Sequence, residues 1–229
     1  MTMRFTLFCL IVIAGLVAAL MLQQPAAPET KGRYDFGLPW QISVANGNSR
    51  VFGLSPGVST LGDAIAQLGD DNALALLQRT DQLGLLELYF SQFQTGPLQG
   101  KLIIAAATSE ADILAIKANA TKLEYLESGT KKFRLNAQQR ELALQQPIQS
   151  ITLIPAASID AAVIQDLFGS PTQIITSNND VSHYVYKNIG LAVAIDTKGK
   201  EVLHYVNPAA MAALIVQLQT EALKSTLMH

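Results

Sequence analysis

One serine lies in the Gly-x-Ser-x-Gly pattern that exposes a nucleophile at a strand-to-helix turn in many hydrolases. The segment Gly53-Leu54-Ser55-Pro56-Gly57 carries this pattern between a predicted strand and a predicted helix. The reaction needs the backbone N–H of the residue after the serine as an oxyanion donor, and Pro56 has no N–H. The alternating strand–helix scaffold of such enzymes is also missing. We therefore interpret Ser55 as part of a turn.

Two histidines raise the question of a metal site. His183 and His204 each precede a tyrosine in predicted strands, and neighbouring strands could bring the imidazoles together. A carboxylate at ligand spacing, such as the His-Glu-x-x-His pattern supplies, is missing beside them. The only cysteine, Cys9, lies in a hydrophobic run near the start of the chain. Ordinary strand histidines are the favoured interpretation, and we predict no metal and no cofactor.

The remaining charged residues favour no reaction and no nucleic acid. Asp70-Asp71 and Asn179-Asp180 occur in turn contexts, where such side chains bond the local backbone. Formal net charge is −2, so no basic surface large enough for a nucleic acid is implied. We interpret the one basic cluster as a solvated loop, with a phosphate or lipid-headgroup site as the alternative; it comprises Lys131, Lys132 and Arg134.

The N-terminal segment is typical of a membrane helix. From Phe5 to Leu22 the chain runs for 18 residues without a charge. As a helix this run is about 27 Å long, close to the roughly 30 Å hydrocarbon core of a bilayer. We predict a transmembrane anchor within residues 1–24. A cleaved signal, with a site near Val17-Ala18-Ala19, is the alternative.

The position of this helix predicts the location of the rest of the chain. An apolar run that begins at residue 5 acts as a signal-anchor, and Arg4 favours the cytoplasmic side. Residues 25–36, with Pro25 and Pro28, are typical of a short spacer. We therefore predict a single-pass protein of the inner (cytoplasmic) membrane, whose C-terminal domain lies in the periplasm.

Short strand and helix patterns alternate after the spacer. Predicted strands cover residues 41–45, 49–52, 83–90, 101–106, 148–154, 181–186, 191–195 and 201–206. Asn46-Gly47, Gly96-Pro97 and Thr197-Lys198-Gly199 are predicted turns between strands. Capping residues predict five helices, which begin after Ser59 or Thr60, Ser109, Asn136, Ser158 and Asn207.

Two of these helices carry an apolar stripe. In the helix after Ser109 the stripe comprises Ile113, Ile116, Ala120 and Leu123, and we predict that this helix ends at Gly129. In the last helix the stripe comprises Met211, Leu214, Ile215, Leu218 and Ala222. This second stripe favours docking on the core, with a partner site as the alternative.

The order of elements predicts an internal repeat. In each half a capped helix ends in a glycine, at Leu68-Gly69 and at Phe168-Gly169, and a strand and then a second glycine-led strand follow. We predict an α+β fold of two related helix-plus-antiparallel-sheet units in tandem behind the transmembrane helix. The first unit covers residues 37–130, with a helical insertion, and the second covers residues 131–229 with the C-terminal helix.

The second unit resembles the SmpA/OmlA (BamE) family. The resemblance is carried by Ser158-Ile159-Asp160, Leu167-Phe168-Gly169-Ser170-Pro171, His183-Tyr184-Val185-Tyr186, and the apolar strand from Leu191 to Asp196. A tandem pair of such units is similar in plan to the β-lactamase-inhibitor-protein fold. The chain differs from the family by lacking a lipidation cysteine and by a two-helix insertion at residues 109–146. The resemblance implies a fold and an envelope protein-binding role.

Two functional hypotheses follow. The first is a non-enzymatic, membrane-anchored module that binds another envelope protein or stabilises an assembly. The alternative is an extracytoplasmic ligand-binding or hydrolytic domain with a cleft near His183, Tyr184 and Tyr186, where aromatic and histidine side chains are concentrated.

Overall fold

The computed structural model describes residues 36–80, 82–177, 181–196 and 201–227, and the side chains of residues 225–227 are outside the description. The predicted membrane segment from Phe5 to Leu22, the Asn179-Asp180 pair and the Thr197-Lys198-Gly199 turn therefore lie outside the described residues. Across the ranges just given, none of the helices combines the length and the hydropathy needed to cross a bilayer.

The described chain contains five α-helices and twelve strands. The helices are α1 (Leu61–Leu68), α2 (Glu110–Asn119), α3 (Ala137–Leu144), α4 (Ala161–Phe168) and α5 (Met211–Leu227). The strands are β1 (Ser43–Ala45), β2 (Asn48–Arg50), β3 (Ala73–Gln78), β4 (Leu85–Thr95), β5 (Leu98–Ala106), β6 (Lys122–Tyr125), β7 (Lys131–Arg134), β8 (Ile148–Pro155), β9 (Gln173–Thr176), β10 (Val181–Tyr186), β11 (Leu191–Asp196) and β12 (Val202–Val206).

Ten of these strands form one antiparallel sheet in the order β6-β7-β3-β4-β5-β8-β12-β11-β10-β9, and β1 and β2 form a separate hairpin. The eight strands from β3 to the edge strand β9 in this order are arranged symmetrically about the β8–β12 pair. On one side lie β3, β4, β5 and β8, preceded in sequence by α1; on the other lie β9 to β12, preceded by α4. The α+β class with an antiparallel sheet is thereby confirmed.

The segment between β5 and β8 extends the sheet on the side of the first four strands. It consists of α2, the β6–β7 hairpin and α3, and β7 pairs with β3. The boundary between residues 130 and 131 falls in the turn of the β6–β7 hairpin. The segment therefore contains two helices, as expected, together with a hairpin that was not predicted.

Helices α1 to α4 pack on one face of the sheet, which we call the helix face. Alternate strand residues point to this face, because successive side chains of a strand lie on opposite sides. They include Leu86, Leu88 and Phe90 of β4, Leu102 and Ile104 of β5, Ile151 and Leu153 of β8, and Leu203 and Tyr205 of β12. Leu61 and Ala64 of α1 and Ile164 of α4 are fully buried against them. This layer is the main hydrophobic core.

The opposite face of the sheet, which we call the second face, has a different cover. At one end α5 packs on β9 to β12 through Met211, Leu218 and Ala222, so the predicted core-docking role of that stripe is confirmed. Further along the face lies a second apolar cluster: Tyr89, Ile103, Ile154, Val181, Ala194 and Val202. Within the described residues this cluster consists of strand side chains alone.

Local sequence signals explain several elements. Asn46 and Gly47 both have positive φ and turn the β1–β2 hairpin, as the Asn-Gly pair predicts. Thr60 caps α1 in a capping box with Asp63, and Asn136 caps α3 in the same way with Gln139.

Four expectations for individual elements are wrong. The helix after Ser109 ends at Asn119 instead of Gly129. The Thr121 N–H donates to the Arg134 carbonyl and opens the β6–β7 hairpin, and Gly129 serves the hairpin turn with φ +80°. The basic cluster belongs to strand β7 instead of a loop. Helix α4 is capped by Asp160 instead of Ser158. Strands β3 and β9 were not expected.

Candidate functional site

The three residues of the predicted cleft lie on two faces of strand β10. Tyr184 and Tyr186 pack with the helix face, where the Tyr186 hydroxyl donates to the Gly169 carbonyl at 3.1 Å and the ring lies against Phe168. His183 points to the second face, because the side chains of adjacent strand residues alternate. The structure therefore brings the two tyrosines together and separates them from the histidine.

A row of aligned side chains, three of them polar and one apolar, crosses the second face instead. The strand register aligns Tyr89 with Ile103, Ile103 with Thr152, and Thr152 with His204. Thr152 Oγ1 and His204 Nδ1 are 2.8 Å apart and share a hydrogen bond. Glu87 lies two residues from Tyr89 on the same strand face, in the next row. The row thus runs over four strands, β4, β5, β8 and β12.

Glu87 is a carboxyl group in an apolar environment. Its residue is 3% exposed, and one of its oxygens, Oε2, has no hydrogen-bond partner. Burial raises the pKa of Glu87 from 4.5 to about 7, although the positive charge of Arg79 acts in the opposite direction. This carboxyl group therefore holds its proton over a wider pH range than an ordinary glutamate.

Tyr89 and His183 also carry unpaired polar atoms on this face. Tyr89 is 6% exposed, its hydroxyl has no partner, and burial raises its pKa to about 12. His183 is 5% exposed; its Nε2 lies 3.1 Å from the Ser177 hydroxyl, and its Nδ1 has no partner. Together with Glu87 these residues define what we call the polar site: Glu87, Tyr89, Thr152, His183 and His204.

Both histidines of the polar site are neutral at pH 7. Burial lowers the pKa of His183 from 6.5 to about 4. The pKa of the partly buried His204 is also lowered to about 4, mainly by burial and further by the positive charge of protonated His183. The two residues lie on β10 and β12 with β11 between them. Each imidazole bonds one hydroxyl group.

The arrangement does not form a nucleophile–base–orienter set among the described residues. Two hydroxyl–imidazole pairs come nearest to a nucleophile and a base: Thr152 with His204 at 2.8 Å and Ser177 with His183 at 3.1 Å. A Ser-His-Asp mechanism needs a carboxylate on Nδ1 to fix the tautomer and stabilise the imidazolium, and Nδ1 of His183 is unpaired. A base with a pKa of about 4 is also poorly matched to proton transfer at neutral pH.

The Gly53–Gly57 pattern lies in a turn with structural contacts. The N–H of Ser55 donates to the Ser59 hydroxyl, and the N–H of Gly57 donates to the Ile148 carbonyl. The amide of Asn207 donates to the Pro56 carbonyl. The interpretation of Ser55 as a turn residue agrees with this geometry, since the turn ties the start of α1 to β8 and to the entry of α5.

The two histidines were candidate site residues in the sequence, whereas Glu87, Tyr89 and Thr152 were not predicted. Glu87 is a charged residue inside an otherwise apolar strand pattern, and this was the available signal. Thr152 carries no comparable signal, since threonine is common in strands.

Comparison of the chain with protein-family models, with curated proteins and with solved structures finds no match. The resemblance to the SmpA/OmlA (BamE) family stays a prediction from the quoted residues.

Proposed function

We propose that this protein is a non-catalytic binding module that is anchored in the inner membrane by residues Phe5 to Leu22 and presents its domain in the periplasm. Its partner is another envelope protein, which recognises the second face of the sheet around the polar site; Glu87, Tyr89 and His183 are only 3–6% exposed in the free protein, so binding must uncover them. The observation that carries the proposal is the set of buried, unpaired polar atoms on this face: Glu87 Oε2, Tyr89 OH and His183 Nδ1.

These unpaired polar atoms do not stabilise the fold. An unsatisfied buried polar group costs about 1–3 kcal/mol, and an apolar side chain of similar shape removes that cost. The surrounding residues Ile103, Ile154 and Val202 are apolar and buried, so the polar groups interrupt an otherwise continuous apolar layer. A partner segment that supplied complementary donors and acceptors would satisfy them on binding. Unpaired groups on an apolar background are thus suited to specific recognition.

The chemistry of the site favours binding over catalysis. Glu87 has a pKa of about 7 and is therefore partly protonated at neutral pH, both histidines are neutral, and no described carboxylate orients either imidazole. In their neutral forms such groups donate and accept hydrogen bonds without carrying full charges, so they lie in this buried layer at a lower desolvation cost than ions would.

We also propose that the domain consists of two related α+β units in tandem. The order β3-β4-β5-β8 followed by β12-β11-β10-β9, each set preceded in sequence by a helix, supports two related units of the SmpA/OmlA type. In this arrangement β8 belongs to the first unit, whereas the boundary predicted after residue 130 places it in the second. In this view the recognition surface extends across both units, with Glu87 and Tyr89 from the first and His183 and His204 from the second.

The test combines crosslinking in intact membranes with two isosteric variants. Proteins crosslinked to the full-length chain are identified by mass spectrometry for the unaltered protein, for Glu87→Gln with Tyr89→Phe, and for Tyr186→Phe as the helix-face control. We expect one reproducible partner, which the second-face variant loses and the control retains. The absence of any reproducible partner, or equal loss in both variants, would contradict the proposal.

A further inference from the structure

Strand β6 forms one edge of the ten-stranded sheet. Among the described strands it pairs with β7 alone. An edge strand presents backbone N–H and C=O groups along its outer side, where an extended segment of another chain can pair with them. At the opposite edge, strand β9 is contacted by helix α5, whereas β6 has no comparable helix among the described elements.

The side chains at this edge alternate in chemistry. Leu123 and Tyr125 point to the helix-face side and are 43% and 67% exposed. Lys122 and Glu124 point to the second-face side. Beside them in β7, Lys132 lies opposite Glu124 and Arg134 lies opposite Lys122. One side of the edge is therefore apolar and the other is charged.

The charged side is positive overall. Glu124 lies 2.7 Å from Lys122 Nζ, 3.3 Å from Arg134 Nη2 and 3.9 Å from Lys132 Nζ. Three cations thus surround one carboxylate and leave a net charge of +2. These cations lower the pKa of Glu124, which stays ionised, with the hydrogen bond from Lys122 as the largest cause. The Lys122 and Arg134 side chains are 60% and 58% exposed, so this excess positive charge can attract acidic groups of a partner.

We propose that β6 is a docking edge for an extended acidic segment of a partner protein, which adds an eleventh strand to the sheet. Because side chains alternate along a strand, the segment carries acidic residues at every second position and apolar residues between them. The acidic side chains lie beside Lys122 and Arg134, and the apolar ones cover Leu123 and Tyr125. A second copy of β6 fits less well, since it would bring a second net charge of +2 to the same place.

The proposal does not depend on the polar site, which lies on the second face and away from this edge. The proposal for the second face and the proposal for strand β6 can therefore fail separately. Crosslinking of the Glu87 and Tyr89 variant tests the second face, and the following experiment tests β6.

The first measurement is binding of labelled peptides to the purified full-length chain by fluorescence anisotropy. One peptide alternates glutamate with valine; a second has the same composition with its glutamates in one block; a third replaces each glutamate by lysine. We expect the alternating peptide to bind the most tightly. Lys122→Glu with Arg134→Glu should weaken it by about tenfold or more. Lys224→Glu, an exposed charge reversal on α5, is the matched control and should leave binding unchanged.

The second measurement is hydrogen exchange with and without the alternating peptide. Strand addition protects backbone amides of β6, while simple charge attraction does not, so we expect slower exchange across residues 122–125. Equal binding of the block peptide without this protection would overturn the proposal. A second result would also overturn it: the unaltered protein binds vesicles of anionic lipid, the Lys122 and Arg134 variant does not, and none of the peptides binds. The cluster would then be a lipid-headgroup site.

Discussion

The two faces of the sheet place adjacent residues of one strand in opposite environments. Leu86 is fully buried in the hydrophobic core of the helix face, while Glu87 lies on the second face with an unpaired oxygen. The polar group of Tyr186 on the helix face has a partner, whereas that of Tyr89 on the second face has none. The helix face is organised for packing, and the second face keeps hydrogen-bonding capacity unused.

This difference separates stability from recognition in physical terms. A core gains from apolar volume and loses from unpaired polar atoms. A recognition surface tolerates unpaired polar atoms when a partner satisfies their hydrogen bonds. The unbound protein is then less stable, because these atoms have no partner in it. The following variants test whether the two faces divide these roles.

The largest effect is expected from truncation on the helix face. Leu86→Ala removes a fully buried side chain, and such changes cost about 2–5 kcal/mol because a cavity remains. Urea denaturation of the variant and the unaltered protein measures the difference in free energy of unfolding. A loss below about 1 kcal/mol would mean that this face can collapse around the missing atoms and is not the tightly packed core.

The next effect is a change in the pH dependence of stability when the neighbouring residue, Glu87, is substituted. The folded-state pKa of Glu87, about 7, lies above its ordinary value of 4.5, so the folded protein binds this proton more tightly than the unfolded chain. Stability is therefore lost as pH rises from 4.5 to 7, by about 3 kcal/mol from this group. Glu87→Gln should remove that loss and be the more stable protein above pH 7. Denaturation midpoints of the variant and the unaltered protein between pH 4 and pH 8 measure this difference in stability. If the two midpoints changed with pH in parallel, Glu87 would not be desolvated in the folded protein.

Much of the fold follows from local signals, and the exceptions have physical causes. Asn-Gly turns, capping boxes and helix-ending glycines act over a few residues, so the β1–β2 hairpin and helices α1 and α3 were predictable. Strand β3, Ala-Leu-Ala-Leu-Leu-Gln, is composed of good helix formers, and only its pairing with β4 and β7 makes it a strand. The residues after Asn119 have apolar spacing that fits a helix, but pairing with β7 makes them strand β6.

The polar site was less predictable because it depends on long-range register. Alternation along β10 could have separated His183 from the two tyrosines without any structure. The alignment of Tyr89, Thr152 and His204 could not have been predicted in the same way, since it requires the order β4-β5-β8-β12 and the register of each pair. A charged residue inside an apolar strand, as at Glu87, is the kind of local conflict that often accompanies a functional site.

A smaller effect of opposite sign is expected at His204. Its folded-state pKa, about 4, lies below its ordinary value of 6.5, so stability is lost as pH falls from 6.5 to 4. His204→Gln removes this term of about 3 kcal/mol but also removes the hydrogen bond to Thr152, which is worth about 1 kcal/mol. The variant should therefore gain about 2 kcal/mol at pH 4 and lose about 1 kcal/mol at pH 7.5 relative to the unaltered protein. Unfolding by urea at the two pH values checks this, and an NMR titration of the imidazole that gave a pKa near 6.5 would contradict it.

The smallest effect compares one hydroxyl group on each face. Tyr186→Phe removes the donor to the Gly169 carbonyl while keeping the ring against Phe168, and should cost about 1 kcal/mol. Tyr89→Phe removes a hydroxyl that has no partner, so it should leave stability unchanged or raise it slightly. Both variants delete one oxygen from a tyrosine, and therefore the difference between their urea midpoints reports the pairing of the hydroxyl alone. If Tyr89→Phe cost as much as Tyr186→Phe, the Tyr89 hydroxyl would already be bonded in the free protein. The second face would then have no unused hydrogen-bonding capacity at that position to offer a partner.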